Sequence, residues 1–224
     1  MLKTQFVHDR ILIIDFGSQV TQLIARRIRE SGVFCEIHPF NKVDPESLKA
    51  FEPSGIILSG GPASVHGIAP PMAHEDVFKW GVPILGICYG EQTIVKQMGG
   101  DVEPSAHREF GRAFVDIKRK SPLIEGLWKP GGQYQVWMSH GDRINIIPDG
   151  FDVIGTSDGS LFAMIANENR RIYGVQFHPE VVHTPDGAGL LKNFTHRICR
   201  ASGDWTMASF KAEAVEKIRA DVGT

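Results

Sequence analysis

Cysteine, long apolar runs and net charge are all scarce in this sequence. Its 224 residues include only three cysteines, Cys35, Cys88 and Cys199, and such an odd, sparse count argues against a disulfide framework and for a reducing, cytoplasmic compartment. No apolar run reaches the roughly 18 residues of a membrane-spanning helix, and residues 1–10 contain no signal-peptide core. The net charge is −2, from 24 Lys and Arg against 26 Asp and Glu, which argues against nucleic acid or a membrane surface as a partner.

The remaining composition is that of an ordinary globular domain. Apolar residues make up 42% and charged residues 22% of the chain. A chain of this length can bury a sizeable core without disulfides, and it fits one medium domain with a short appendage. We expect residues 1–203 to form that domain and residues 204–224 to form a helical tail that links it to something else.

The first half of the chain alternates apolar strand-like runs with helix-like runs. The predicted strands are 11–14, 33–38, 55–58 and 83–87, and the predicted helices are 18–31, 45–50, 73–80 and 89–98. Continuous apolar strands that alternate with helices indicate a parallel sheet covered on both faces. The predicted fold class is therefore α/β, with an open, mostly parallel central sheet flanked by helices.

From about residue 102 to residue 177 the pattern changes to strand-like runs joined by turn signals. Strands are predicted at 134–138, 151–154, 162–166 and 172–177, with a polar hairpin connection at 167–171. This pattern indicates an added antiparallel β section. A closing helix is predicted over residues 187–200 and a tail helix over 206–220, and whether that tail packs on the domain or leads to another one stays open.

The strongest chemical signal is the pentapeptide Gly86-Ile87-Cys88-Tyr89-Gly90, at the junction of an apolar strand and a helix. It matches the nucleophile elbow, with Cys in place of Ser. A sharp strand-to-helix turn needs small residues on either side of the nucleophile, and the partial positive charge of a helix N-terminus favours a thiolate. The alternative is a structural cysteine buried between two loop glycines.

A nucleophilic cysteine needs a base, and His178 is the candidate. It follows the predicted strand 172–177 and precedes Pro179-Glu180. In extended backbone His178 and Glu180 lie on one face, so that the carboxylate can orient the imidazole as the third member of a triad. The alternative is a routine His–Glu pair at a strand end.

The glycine pair in Ser59-Gly60-Gly61-Pro62 ends another predicted strand. In a parallel sheet these strand ends share one edge, so the backbone N–H groups of Gly61 and Tyr89 are candidates for an oxyanion hole worth about 3 kcal/mol per donor. Pro62-Ala63-Ser64 does not continue the loop as an ATP-pyrophosphatase motif would. The histidines and cysteines lack the spacing of a zinc site, so no metal is expected.

Together these residues resemble the triad, or class I, glutamine amidotransferases. That family's three sequence blocks occur in its order, at Gly60-Gly61-Pro62, at residues 86–92 (Gly-Ile-Cys-Tyr-Gly-Glu-Gln) and at residues 177–180 (Phe-His-Pro-Glu). Residues 139–142 (Ser-His-Gly-Asp) and 178–184 are similar to the glutaminase domains of GMP synthetases. The resemblance covers nearly the whole chain and implies a flavodoxin-like fold.

The resemblance also implies roles for individual residues. Cys88 would attack the side-chain amide of L-glutamine, His178 would move the proton and Glu180 would orient His178. Gly61 and Tyr89 would hold the oxyanion. The residues implied in glutamine binding are Gln92, Ser139, His140, Gly141 and Asp142.

One position departs from the family pattern. Position 91 is more often Met or another uncharged residue, and here it is Glu91. A carboxylate this close to the nucleophile would oppose formation of a thiolate unless it were solvated or paired. The sequence leaves both arrangements open.

The resemblance further implies a partner that this chain does not contain. In bacterial GMP synthetases an ATP-pyrophosphatase domain follows the glutaminase, and it would use the ammonia to aminate XMP to GMP. ATP and magnesium are therefore expected only in that partner, and no cofactor is expected in this chain. We expect the chain to be part of a longer protein, and the alternative is that it forms a separate subunit. A stand-alone γ-glutamyl hydrolase and a non-catalytic regulatory module remain the competing functions.

Overall fold

A single mixed sheet of nine strands runs through the described part of the chain. The structure is a computed structural model that describes residues 8–208, 215 and 219, without the side chains of residues 105–108. The strands are β1 (Arg10–Asp15), β2 (Phe34–Pro39), β3 (Gly55–Leu58), β4 (Ile84–Ile87), β5 (Asp101–Ile117), β6 (Gln133–Ile146), β7 (Asp152–Thr156), β8 (Met164–Asn167) and β9 (Ile172–Val175). The α-helices are α1 (Thr21–Glu30), α2 (Pro45–Phe51), α3 (Tyr89–Gln97) and α4 (Gly187–Lys192). Single turns of 3₁₀ or π helix lie at Phe40–Lys42, Glu75–Lys79, Pro122–Ile124 and Asn193–Ile198.

Five neighbouring strands of the sheet, in the order β2-β1-β3-β4-β9, are parallel. The carboxyl ends of β3, β4 and β9 therefore lie side by side at one edge of the sheet. Residues 59–62, Cys88 and His178 follow those three strands. The topology thus brings the three predicted chemical segments to the edge at which open α/β sheets bind ligands.

The antiparallel section continues the same sheet in the order β9-β8-β7-β5-β6. β9 is parallel to β4 on one side and antiparallel to β8 on the other, through the hairpin predicted at residues 167–171. Four strand pairings are parallel and four are antiparallel in the described residues, so the antiparallel section is as large as the parallel one. The predicted α/β class is confirmed.

The core lies on both faces of the sheet. Alternate residues of β1 point in opposite directions, so Ile11 and Ile13 pack with Ile24 of α1, whereas Leu12 and Ile14 belong to the opposite layer. These four apolar residues of β1 are 0–1% exposed. Burial on both faces explains why the parallel strands are continuously apolar rather than alternating.

Local sequence explains where some helices begin and why others are shorter than predicted. In α2 the Asp44 carboxylate accepts from the Ser47 N–H, and the Ser47 hydroxyl accepts from the Asp44 N–H. The helix predicted over 73–80 is only a 3₁₀ segment, Glu75–Lys79, at whose start the Val77 N–H donates to the carbonyl group of His74, three residues back. The closing helix predicted over 187–200 is α-helical only to residue 192. There the Thr195 hydroxyl donates back to two carbonyl groups of the preceding turn, which distorts the helix.

The tail helix predicted over 206–220 falls mostly outside the described residues, and the domain boundary at residue 203 stays a prediction. Trp205 lies within the described part, where it is 5% exposed and its backbone N–H donates to the Gly32 carbonyl at 2.9 Å. The chain after α4 therefore packs against the end of α1, at least as far as this residue.

Candidate active site

Cys88 occupies a strained turn between β4 and α3. Its backbone has φ +53° and ψ −106°, a conformation that residues with a side chain rarely adopt. The Cys88 N–H donates to the Val175 carbonyl of β9 at 2.8 Å, which anchors the turn to the neighbouring strand. Backbone strain of this kind persists only where the surrounding structure holds it, and it is common at reactive residues.

The two flanking glycines are required by close packing. A Cβ atom on Gly90 would overlap the carbonyl oxygen of Leu58 in β3, and one on Gly86 would lie 2.7 Å from the Glu91 nitrogen. Any larger residue would push α3 away from the sheet. The elbow predicted from the sequence therefore has a steric reason in this fold.

His178 and Glu180 form a buried pair beside the elbow. His178 Nδ1 lies 2.7 Å from Glu180 Oε1, and the Glu180 side chain is fully buried. Thr184 fixes the histidine backbone: its hydroxyl donates to the His178 carbonyl at 2.7 Å and accepts from the Trp137 N–H at 3.0 Å. With Nδ1 engaged by the carboxylate, Nε2 is the nitrogen left for proton transfer.

Charge on the neighbouring groups controls the ionisation of His178. Burial alone lowers the pKa of His178, but hydrogen bonds and charge interactions with Cys88 and Glu180 outweigh it and raise the pKa to about 10. The protonated form of the imidazole is therefore favoured at neutral pH. It provides a cationic partner for a thiolate and a proton for a leaving group.

An open cavity of about 340 Å³ lies next to Cys88. Its wall includes all of the residues predicted to form the oxyanion hole or to bind glutamine: Gly61, Tyr89, Gln92, Ser139, His140, Gly141 and Asp142. The Cys88 thiol donates to the Ser139 carbonyl at 3.5 Å, and Gln92 Nε2 donates to the Asp142 carbonyl at 3.1 Å. A second cavity of about 290 Å³ is lined by both Cys88 and His178. The structure thus brings all of the sequence-predicted site residues around one point, apart from Glu180, which lies behind His178.

The glycine pair allows the backbone to come close to the nucleophile. A Cβ atom on Gly60 would lie 3.2 Å from His178 Cε1, and one on Gly61 would lie 2.8 Å from the Phe16 carbonyl oxygen. Both Gly61 and Tyr89 line the cavity with Cys88. Their assignment as oxyanion donors remains a prediction.

Glu91 lies on α3, three residues after the nucleophile. It is 0% exposed, and neither carboxyl oxygen has a hydrogen-bond partner among the described residues. Burial, and after it the negative charge of Cys88, raises the pKa of Glu91 well above its usual range. The two arrangements that the sequence left open, solvated or paired, are thus both absent from the described residues. A neutral carboxylic acid instead avoids repulsion of a thiolate.

Glu91 should make the free energy of unfolding depend on pH. A raised native pKa gives stability that is fully present below the unfolded pKa and is lost as the pH rises towards the native value. Relative to wild type, Glu91→Gln should gain stability over that range, by up to about 1.4 kcal/mol per pH unit. Urea unfolding at several pH values from 5 to 8 measures this gain. The exposed Glu46 provides the control variant Glu46→Gln, and equal pH slopes for both variants would contradict the prediction.

Cys35 and Cys199 do not line either cavity next to Cys88. Cys35 is 0% exposed, its thiol donates to the Ala25 carbonyl at 3.5 Å, and burial raises its pKa to about 11. Burial also raises the pKa of Cys199, whose sulfur packs against Gly55. All three cysteines are free thiols. These contacts agree with packing roles for Cys35 and Cys199.

The rest of the described chain offers neither a metal site nor a cavity with candidate nucleophiles comparable to the one beside Cys88. Within residues 8–208, 215 and 219, no three His, Cys, Asp or Glu side chains are grouped to hold a metal ion. No helix in the same described part has the length and apolar character needed to cross a membrane. A larger cavity of about 700 Å³ lies between α1 and residues 203–207, but no cysteine or histidine lines it.

Comparison with protein families gives the same assignment as the geometry. The model of the family described as glutamine amidotransferase class-I matches residues 12–198. The chain belongs to this family. The amidotransferase is 57% identical over 223 residues to GMP synthase (glutamine-hydrolyzing) of Brucella melitensis, covering 100% of this chain and 44% of that protein. It is 58% identical over 216 residues to the GMP synthase of Phenylobacterium zucineum, covering 96% and 41%. The chain thus spans less than half the length of these curated relatives.

A solved structure supports the fold of this amidotransferase. A protein of Thermoplasma acidophilum, described as a candidate component of a GMP synthase, superposes with a TM-score of 0.72 at 31% identity and covers 93% of this chain and 98% of that one. The family and the fold expected from the sequence are confirmed.

Sequence reasoning missed two groups that hold the amidotransferase site in place. Thr184 was recognised only as part of a motif, although its hydroxyl joins His178 to β6. Gln176, 0% exposed, accepts a hydrogen bond from Gln92 Nε2 at 3.2 Å. Gln176 could have been identified from the sequence, because it is a polar residue in an otherwise apolar predicted strand, two positions before His178.

Proposed function

We propose that the chain hydrolyses the side-chain amide of L-glutamine to glutamate and ammonia. The observation that carries this proposal is the strained Cys88 elbow, which lies at the same sheet edge as the buried His178–Glu180 pair. A nucleophile, a base and a group that orients the base are the three elements of covalent acyl transfer.

In the proposed mechanism the Cys88 thiolate attacks the amide carbon of glutamine. The backbone N–H groups of Gly61 and Tyr89 stabilise the tetrahedral oxyanion. Protonated His178 gives its proton to the leaving nitrogen, so that ammonia departs and a γ-glutamyl thioester remains. His178 then accepts a proton from water, which attacks the thioester and releases glutamate and the Cys88 thiolate. Glu180 keeps Nδ1 protonated throughout.

The cavity beside Cys88 is the proposed glutamine site. Gln92 and the β6 segment 139–142 line it, and their amide and carbonyl groups suit the α-amino and α-carboxylate groups of an amino acid. The side chain of glutamine would then point towards the sulfur.

We also propose that the ammonia is used by an ATP-dependent synthetase domain that aminates XMP to GMP. Support comes from relatives named GMP synthase (glutamine-hydrolyzing), of which this chain matches only 41–44%. ATP and magnesium belong to that partner in this proposal. A cytoplasmic location is part of it, supported by the three free thiols.

Covalent labelling tests the proposal. Incubation of the chain with the glutamine analogue 6-diazo-5-oxonorleucine should give one adduct per chain, at Cys88, by mass spectrometry, and excess glutamine should slow its formation. Ammonia release from glutamine should increase when a synthetase domain with XMP and ATP is added. Labelling at Cys35 or Cys199 instead would overturn the site. Faster hydrolysis of γ-glutamyl peptides than of glutamine would favour a stand-alone hydrolase.

A further inference from the structure

Glu109 lies directly opposite His140 in the antiparallel pair of β5 and β6. The pairing is irregular between Pro104 and Glu109, so Glu109 resumes the regular register opposite the β6 segment Ser139–Asp142. Its Oε2 atom lies 3.2 Å from His140 Nε2, and the His140 side chain is 1% exposed. The Glu109 carboxylate therefore contacts His140, which is a residue of the proposed glutamine site.

The other nitrogen of His140 faces the Asp142 carbonyl oxygen at 2.9 Å. That oxygen also accepts from Gln92 Nε2, and the neighbouring Ser139 carbonyl accepts from the Cys88 thiol. The His140 imidazole thus fixes the β6 segment 139–142 at the two carbonyl groups that also contact Gln92 and Cys88.

These partners determine the protonation of His140. A carbonyl oxygen can only accept, so Nδ1 must carry a proton. A neutral ring would then direct the Nε2 lone pair at the Glu109 carboxylate, with two acceptors in contact. One proton between Nε2 and Oε2 removes this conflict, and when Nε2 carries it the contact becomes a charge-assisted hydrogen bond.

The carboxylate of Glu109 is itself held on its far side. The Ser157 hydroxyl lies 3.2 Å from Oε2 and 3.4 Å from Oε1, so it can donate its single proton to either oxygen. A Cβ atom on Gly159 would lie 2.6 Å from Oε2, so a larger residue there would force the Glu109 carboxylate to shift. Ser157 and Gly159, in the turn between β7 and β8, thus both contact the Glu109 carboxylate.

We propose that Glu109 is a positioning residue for glutamine, which keeps His140 as an imidazolium and thereby fixes the carbonyl groups of Ser139 and Asp142 in the binding cavity. This inference rests on the proposed glutaminase function. Glu109 itself does not touch the nucleophile. Loss of its carboxylate should therefore weaken binding of a glutamine analogue more than it slows the covalent step.

Labelling of Cys88 by 6-diazo-5-oxonorleucine at several concentrations separates these two effects. In Glu109→Ala the half-saturating concentration should rise about tenfold, as expected for loss of one charge-assisted hydrogen bond, while the maximal rate changes less than about threefold. The matched control is Glu103→Ala, which removes an ion pair of the same two strands, with Arg143, and should change neither value more than about twofold. Equal values in the two variants would overturn the proposal.

Two further variants separate positioning from general loss of structure. Glu109→Gln retains a neutral hydrogen-bonding partner for His140 but loses the negative charge, so its half-saturating concentration should lie between those of wild type and Glu109→Ala. Gly159→Ala keeps the carboxylate but displaces it and should resemble Glu109→Ala. A wild-type half-saturating concentration in Gly159→Ala and Glu109→Ala would contradict the assignment.

Nitrogen NMR of the histidine side chains in the wild-type chain tests the same idea without any variant. His140 should have protons on both ring nitrogens, and a neutral ring would overturn the inference. If wild-type Cys88 shows no saturable labelling at all, the proposed glutaminase function fails, whereas the NMR result still decides the state of His140.

Discussion

Replacement of Cys88 by alanine is expected to reduce ammonia release from glutamine by about 10⁴-fold or more, because no other group near the cavity can form the thioester. The variant should fold, since the alanine methyl group occupies less space at the same turn. It should also lower the pKa of His178, because the hydrogen bond and charge interaction with Cys88 help to raise that pKa. An ammonia assay and NMR titration of His178 measure the two effects.

The other two cysteines provide the control for this prediction. Cys199→Ala and Cys35→Ala should keep ammonia release within about threefold of wild type, although loss of buried sulfur should lower the free energy of unfolding of Cys35→Ala by about 1 kcal/mol or more. Substantial residual hydrolysis in Cys88→Ala would show that the nucleophile has been assigned to the wrong residue.

Most of the catalytic geometry was predictable because it depends on strand ends. The sequence predicted apolar strands before residues 59–62, Cys88 and His178, and parallel strands present their carboxyl ends at one edge. The structure places β3, β4 and β9 next to one another, so these short-range patterns were enough to bring the segments together. The contact of His178 with Glu180 was predicted as well, although the two residues lie in an irregular segment and turn after β9 and not in the extended backbone that the i, i+2 spacing suggested.

The supporting residues were harder to predict because their partners are distant in sequence. Glu109 meets His140 across a strand pair with an irregular register, and Ser157 reaches it from the turn after a third strand. No local pattern specifies such a register. Position 91 was different: the sequence identified the unusual residue, but only the packing of α3 on β9 shows that its carboxyl group is fully buried.

Replacement of Glu180 by glutamine is expected to lower the turnover number for glutamine hydrolysis by about 10²–10⁴-fold while the overall structure is retained. Glutamine has the same shape as glutamate, but its amide can donate a hydrogen bond to His178 Nδ1. The ring would then carry its single proton on Nε2, which leaves no base facing the substrate. Loss of the carboxylate should also lower the pKa of His178, since burial then has less opposition.

The same substitution should change how stability depends on pH. A native pKa of about 10 for His178 gives the wild type stability that is fully present below the unfolded pKa of roughly 6.5 and is lost as the pH rises towards 10. The stability advantage of wild type over Glu180→Gln should therefore be largest near pH 6 and smaller near pH 9. Urea unfolding at both pH values measures it.

A second His–Glu pair with the same spacing provides the matched control for Glu180→Gln. On β2, His38 Nε2 lies 2.9 Å from Glu36 Oε2, but the carboxylate is 47% exposed. Because solvent screens that pair, Glu36→Gln should change the free energy of unfolding by less than about 1 kcal/mol and leave turnover unchanged. If Glu180→Gln behaved like Glu36→Gln in turnover and in the pKa of His178, the buried carboxylate would be a structural group rather than the residue that orients the base.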